Sequence, residues 1–174
     1  MTDKFLNIIK IELFSGKLNT DQINGISTII DRWSNLGDGD NRKLAYILAT
    51  VFHETGHRMQ PVKEFGGEVY LKSKKYYPYY GRDLAQTTWK ANYEKVKNFS
   101  GIDVVNHPDL IGQMPLSADV AIIFVLKGWY TGKKLKDYIN NTTTDYINAR
   151  RIINSKDKAE IIAKYAEIFY KALS

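Results

Sequence analysis

The chain has 174 residues, no cysteine and a formal charge of +6. That length fits one domain, or one domain with a small lobe. The missing cysteine excludes disulfides, thiol catalysis and cysteine-based zinc sites, while the charge favours an anionic partner.

No run of about 18 apolar residues exists, so no segment reads as a membrane span. The opening Met1-Thr2-Asp3-Lys4-Phe5 lacks the basic region and long apolar stretch of a secretory signal. From Asp3 to about Phe14 the spacing of Phe5, Ile8, Ile9, Ile11 and Leu13 is helical, and Gly16 ends that element. Asn19 or Thr20 caps a second helix, with Ile23, Ile26, Ile29, Ile30 and Trp33 on one side. The acids of Gly37-Asp38-Gly39-Asp40-Asn41 lack the glutamate a calcium loop needs at its twelfth position, so Asp40 reads as an N-cap. A third helix is expected from Asn41 to about His57. Its broad apolar face of Leu44, Ile47, Leu48, Val51 and Phe52 makes it the central buried helix.

Lys63 to Pro78 reads as a small irregular lobe with a short hairpin. Ala85 to Phe99 should be helical, with Trp89, Tyr93 and Val96 facing the core. Gly101 to Pro108 is a connection, and Asn106-His107-Pro108-Asp109 suits a turn. Ser117 should cap an interior helix from Ala118 to Trp129. A short helix at Leu135–Asn140 and another element at Thr142–Asn154 follow. Lys156–Leu173 is amphipathic, with Ile161, Ile162, Tyr165, Ile168, Phe169 and Leu173 inward. The class is mainly α, a single domain over residues 1–174 with a small lobe at about 60–80.

Two stretches carry chemistry. His53-Glu54-Thr55-Gly56-His57 puts a carboxylate at the end of an apolar helix, where desolvation is costly and favours the neutral acid. The same residues fit the two-histidine zinc peptidase pattern. That reading needs a third ligand, and the extended form wants glycine and histidine where Gln60 and Lys63 stand. Sugar chemistry needs a second carboxylate instead. In an inverting glycosidase the two acids stand about 6.5–9.5 Å apart. Glu64 qualifies only if the helix breaks after Glu54, and Gly56 and Pro61 give it reason to; Glu68 is the fallback. The other stretch, Tyr79 to Trp89, mixes aromatic faces with short polar groups, as sugar rings require. The Tyr76-Tyr77-Pro78-Tyr79-Tyr80 run with Lys72, Lys74 and Lys75 also admits a non-catalytic module that stacks on a carbohydrate or a single strand.

His53-Glu54-Thr55-Gly56, Tyr79-Tyr80-Gly81-Arg82, Gln86, Thr88-Trp89, Asn92-Tyr93 and Ile152-Ile153-Asn154 together resemble glycoside hydrolase family 19. That family holds chitinases and the chitinase-like endolysins of bacteriophages, and the compact length is similar to the endolysin branch. The resemblance implies a lysozyme-like two-lobed fold, inversion at the anomeric carbon, and no metal or other cofactor. It implies that Glu54 is the general acid, Glu64 the second carboxylate, and Thr88 a hydroxyl orienting the water. Gln86, Asn92 and Asn154 fall at sugar-contacting positions. Tyr80 and Arg82 would support the cleft, Arg82 by pairing with a catalytic carboxylate. Asp83, Ala91 and Ser155 depart from the family's glycine, tyrosine and glycine, and Asp83 would be a third acid acting on Glu54 or Glu64. The implied substrate is the peptidoglycan glycan strand. The anionic outer-membrane surface is a second partner, nucleic acid is not one, and the chain is expected to act as a monomer. Such a protein waits in the cytoplasm of the infected bacterium until a separate membrane-disrupting protein releases it.

Overall fold

The computed structural model describes residues 1–174 and is all-α. Its helices are α1 (Asp3–Glu12), α2 (Thr20–Leu36), α3 (Asn41–Glu54), α4 (Glu68–Lys72), α5 (Lys90–Ser100), α6 (Leu116–Lys127), α7 (Tyr146–Ala149) and α8 (Ala159–Leu173). Three short 3-10 turns join them, and the one bridge of β type is Ile139–Thr144.

α3 is the axis. Asp40 caps it by accepting the Arg42 N–H at 2.9 Å. Every residue from Lys43 to Phe52 is buried. A helix apolar on all sides is stable only inside, and here α8 covers it most closely while α1 and α7 pack on α8. A second, smaller core gathers Tyr93 and Val96 of α5, Val104, Ile111, and Leu116, Val120 and Phe124 of α6. α6 is shared: Ala118, Ala121, Ile122 and Val125 belong to the main core. Tyr130, just past α6, packs against both cores.

Several boundaries differ from expectation, each for a local reason. α3 stops at Glu54, not near His57. Gly56, His57 and Met59 take left-handed backbone angles (φ +55°, +69° and +56°), which no helix continues through. The buried Thr55 stitches this exit: its Oγ1 donates to the Val51 carbonyl at 2.7 Å and accepts the Met59 N–H at 3.0 Å. α5 begins at Lys90 rather than Ala85, because Gln86 (φ +56°) and Trp89 (φ +73°) are also left-handed. Ser117 lies inside α6 and is buried; its Oγ accepts the Leu84 N–H at 2.8 Å rather than capping its own helix. Between Lys63 and Pro78 there is the short α4 and no hairpin. α8 starts at Ala159, and Ile161 faces solvent instead of the core.

Candidate functional site

Glu54 is the last residue of α3, so its position is inherited from the most buried helix in the molecule. Its side chain remains 19% exposed, and Oε1 accepts a hydrogen bond from Arg150 Nη1 at 2.7 Å. Arg150 is 3% exposed and also donates from Nε to the Asp157 carbonyl at 3.0 Å. A buried guanidinium demands such partners. Arg150 thus ties the end of α3 to the turn carrying Ile152-Ile153-Asn154, and the Asn154 N–H bonds back to the Arg150 carbonyl at 3.0 Å. No hydrogen bond from the protein reaches Glu54 Oε2.

Glu64 is half-buried in the chain beyond Pro61. Tyr76 Oη donates to its Oε1 at 2.7 Å and the Gly81 N–H to its Oε2 at 3.3 Å. Its own N–H bonds to the Gly81 carbonyl at 2.8 Å. Burial and the Glu64 carboxylate together push the Tyr76 phenol up to about 12, so it remains a donor. Gln86 lies over Gly81: a Cβ there would sit 2.5 Å from Gln86 Oε1. Gln86 Nε2 donates to the Val62 carbonyl at 2.6 Å. Gln86 and Glu64 therefore share one small framework around Gly81. No direct hydrogen bond joins that framework to Glu54 and Arg150.

Arg82 does not pair with either glutamate. Its Nε donates to Asp109 at 2.6 Å, and Nη1 donates to the Pro78 and Tyr80 carbonyls at 2.9 and 3.0 Å. The guanidinium also covers the Tyr80 ring, 3.4 Å from its centroid. Both side chains are buried, so they brace the Tyr79–Asp83 segment from inside. Asp83 is not a third acid in contact with the other two; its carboxylate is bonded to Thr87. It is wholly buried, and desolvation, partly offset by hydrogen bonds from Thr87, pushes its carboxyl up to about 6.

Thr88 is half-buried; its carbonyl accepts Asn92 Nδ2 at 2.9 Å. Asn154 is exposed, in a polar depression with Thr131, Lys133, Arg151, Ser155 and Lys156. Glu68, the fallback acid, is spent on exposed Lys72 at 2.7 Å. The tyrosine run is mostly engaged inward: Tyr76 on Glu64, Tyr79 edge-on to Tyr93 at 5.1 Å, Tyr80 under Arg82. Tyr77 alone of the four stands open, at 41%.

The zinc peptidase pattern does not survive folding. With α3 ended, His57 is not one helical turn beyond His53. Its ring lies flat on Phe52, 4.0 Å between centroids with 2° between planes. Burial lowers the pKa of both histidines, against Glu54 in the case of His53. No three His, Cys, Asp or Glu side chains converge as metal ligands would.

Sequence reasoning missed Arg150 and Tyr130. Arg150 had a signal in its place two residues before the Ile-Ile-Asn motif. Tyr130 had none, for it follows a glycine-punctuated helix end like many surface residues.

The backbone of this chain follows a known one. Chitinase C from Streptomyces griseus superposes with a TM-score of 0.56 over 95% of this chain and 74% of its own, at 19% identity. The chain has the chitinase C fold. A mutant of chitinase C superposes with a TM-score of 0.51 over 95% of this chain and 90% of its own, at 18% identity. Chitinase 4 of Oryza sativa is 36% identical over 87 residues, 45% of this chain and 30% of that protein. Acidic endochitinase of Dioscorea japonica is 30% identical over 106 residues, 56% and 40% of the two chains. The chain spans less than half the length of these curated relatives. No family model matches it.

Proposed function

We propose that this chain is a glycoside hydrolase of the family 19 type, cleaving β-1,4 bonds of peptidoglycan glycan strands with inversion. Glu54 gives its proton to the leaving oxygen. Glu64, with Thr88, activates the water that attacks the opposite face of the sugar. The observation that supports this most is the placement of Glu54. It ends a helix buried from Lys43 to Phe52, is fixed through one oxygen by a buried arginine, and keeps its other oxygen free of protein partners. A carboxylate held this way is rigid on one side and available on the other, as proton transfer requires. Glu64 has the complementary character. Tyr76 and the Gly81 amide hydrogen-bond to both its oxygens, which fixes the orientation a base needs. Gln86, Asn92 and Asn154 would contact the sugars, with Tyr80 and Arg82 shaping the wall beneath.

The biological setting we infer is that of a bacteriophage endolysin, held in the cytoplasm and released by a separate membrane-disrupting protein to lyse the host. Chitin is the second substrate to test, because the sequence relatives are named chitinases. Turbidity loss of outer-membrane-stripped bacteria measures the first activity. Glu54→Gln should lower it about a hundredfold or more. Mass spectrometry of the digest should show new reducing ends and no free peptides. Full activity in Glu54→Gln, or release of peptides alone, would overturn the assignment.

A further inference from the structure

Asp83, Thr87 and Tyr130 form a row, fully buried at Asp83 and Thr87 and half-buried at Tyr130, that the proposed chemistry does not use. The Asp83 carboxylate takes the Thr87 N–H on Oδ1 at 2.7 Å. Thr87 Oγ1 lies 2.7 Å from Asp83 Oδ2 and 2.9 Å from Tyr130 Oη. Asp83 and Thr87 are fully buried, so no solvent relieves these contacts. Tyr130 feels the negative charge of two acids, Asp83 and Glu54. Of the two ionisable groups in the row, it is the one that the Glu54 charge acts on.

The hydroxyls of Thr87 and Tyr130 carry one hydrogen each, and that fixes a rule. If Asp83 is ionised, Thr87 must donate to Oδ2, and its oxygen must accept from Tyr130. The phenol hydrogen is then used inside the row. If Asp83 carries a proton on Oδ2, it donates to Thr87, Thr87 donates to Tyr130, and the phenol hydrogen is released to the other side. Each bond survives both states; only the direction reverses. The other acid acting on Tyr130 is Glu54, whose Oε2 has no protein donor.

We propose that Asp83, Thr87 and Tyr130 form a reversible hydroxyl chain whose direction is set by the proton on Asp83, with Tyr130 the positioning residue through which it acts on Glu54. The second half of this statement rests on the glycosidase reading; the first does not. The ionisable groups that feel Asp83 are the phenols of Tyr93 from α5 and Tyr130 beyond α6. Neighbouring Arg82 bonds to Asp109, to two carbonyls and, at 3.4 Å, to the Tyr93 phenol, and not to Asp83. With the carboxyl raised to about 6, the reversal falls in a physiological range. Both phenols are raised by burial and stay protonated throughout, so the only proton exchanged with solvent is that of Asp83.

The test is carbon NMR on protein labelled at Asp, Tyr and Glu side chains, with Tyr130→Phe and Glu54→Gln assigning their signals. In the wild type, the Asp83 carboxyl, the Tyr130 ring carbon bearing oxygen and the Glu54 carboxyl should shift with one common midpoint near pH 6. Thr87→Val should leave Asp83 titrating and silence the Tyr130 step, while Thr87→Ser, which keeps the hydroxyl, should restore it. In Asp83→Asn the amide oxygen stays on the Thr87 N–H and its NH2 faces Thr87 Oγ1, so the chain is locked in the released direction and Tyr130 should not titrate. A Tyr130 signal that ignores the Asp83 titration in wild type, or that persists in Thr87→Val, overturns the chain. A responding Tyr130 beside an unmoved Glu54 overturns its positioning role. Full lytic activity in Glu54→Gln would instead sink the enzymatic reading and leave the NMR result standing.

Discussion

Asp83 shows how one buried side chain sets a pH dependence for the fold. Its carboxyl is raised to about 6 by desolvation, against about 3.9 in an unfolded chain. Folding therefore favours the protonated form. The stabilisation is fully present below about pH 4, falls as pH rises through about 6, and is flat above. Two pKa units correspond to about 3 kcal/mol. Exposed acids such as Asp103, held down to about 2 by Lys97 and Asn106, act in the opposite direction and are common to any variant. Denaturant melts of Asp83→Asn against wild type should thus show the variant gaining stability relative to wild type between pH 4 and 7, and no further gain above. A constant difference across that range would mean that Asp83 stays ionised when folded. Arg150 shows a different residue-scale lesson. The sequence marked Glu54 as an acid in need of a partner but could not name one 96 positions away, because no local pattern encodes a contact made by the packing of α8 and α7 around α3.

At the scale of elements, apolar periodicity located the helices well, and backbone sign decided where they ended. Phe5, Ile26, Trp33, Leu48, Phe52 and Phe169 are all core residues as their spacing implied. What could not be read were the left-handed angles at His57, Met59, Gln86 and Trp89, since none is a glycine and, His57 apart, none is of a type enriched there. Long-range contacts impose them. The exit from α3 is held from outside by α2: Gln22 Nε2 donates to the His57 carbonyl at 3.0 Å, and Gln60 Nε2 to the Asp21 carbonyl at 2.5 Å. Between these bonds α2 approaches so closely that a Cβ at Gly25 would meet the Met59 carbonyl oxygen at 1.8 Å. Backbone cannot yield as a side-chain tip can. Gly25→Ala should therefore cost about 1–3 kcal/mol, the usual range for overpacking, despite its gain in helix propensity. Chemical denaturation with an unchanged slope checks this. A neutral or stabilising result would show that α2 and the turn behind Glu54 slide apart freely, and the proposed acid would then lack a rigid base.

At the scale of the whole molecule, composition fixed the net charge of +6 but not where it acts. Folding places Lys133, Arg151 and Lys156 around the depression that holds Asn154, and leaves Lys72 and Lys75 exposed. These cations lie on solvated surface, so their attraction for a polymer is long-ranged and screened. At about 0.1 M salt it reaches only about 10 Å. If the substrate is an anionic glycan, encounter should be faster at low salt and the rate should fall several-fold as salt rises through this range. A neutral chitin oligomer cut at the same site has no such attraction to lose. Initial rates on the two substrates across a salt series separate the cases, and Lys133→Glu with Lys156→Glu should flatten the peptidoglycan curve while leaving the chitin curve unchanged. Equal salt sensitivity on both would locate the effect in the catalytic groups themselves and remove the basic surface from any part in substrate capture.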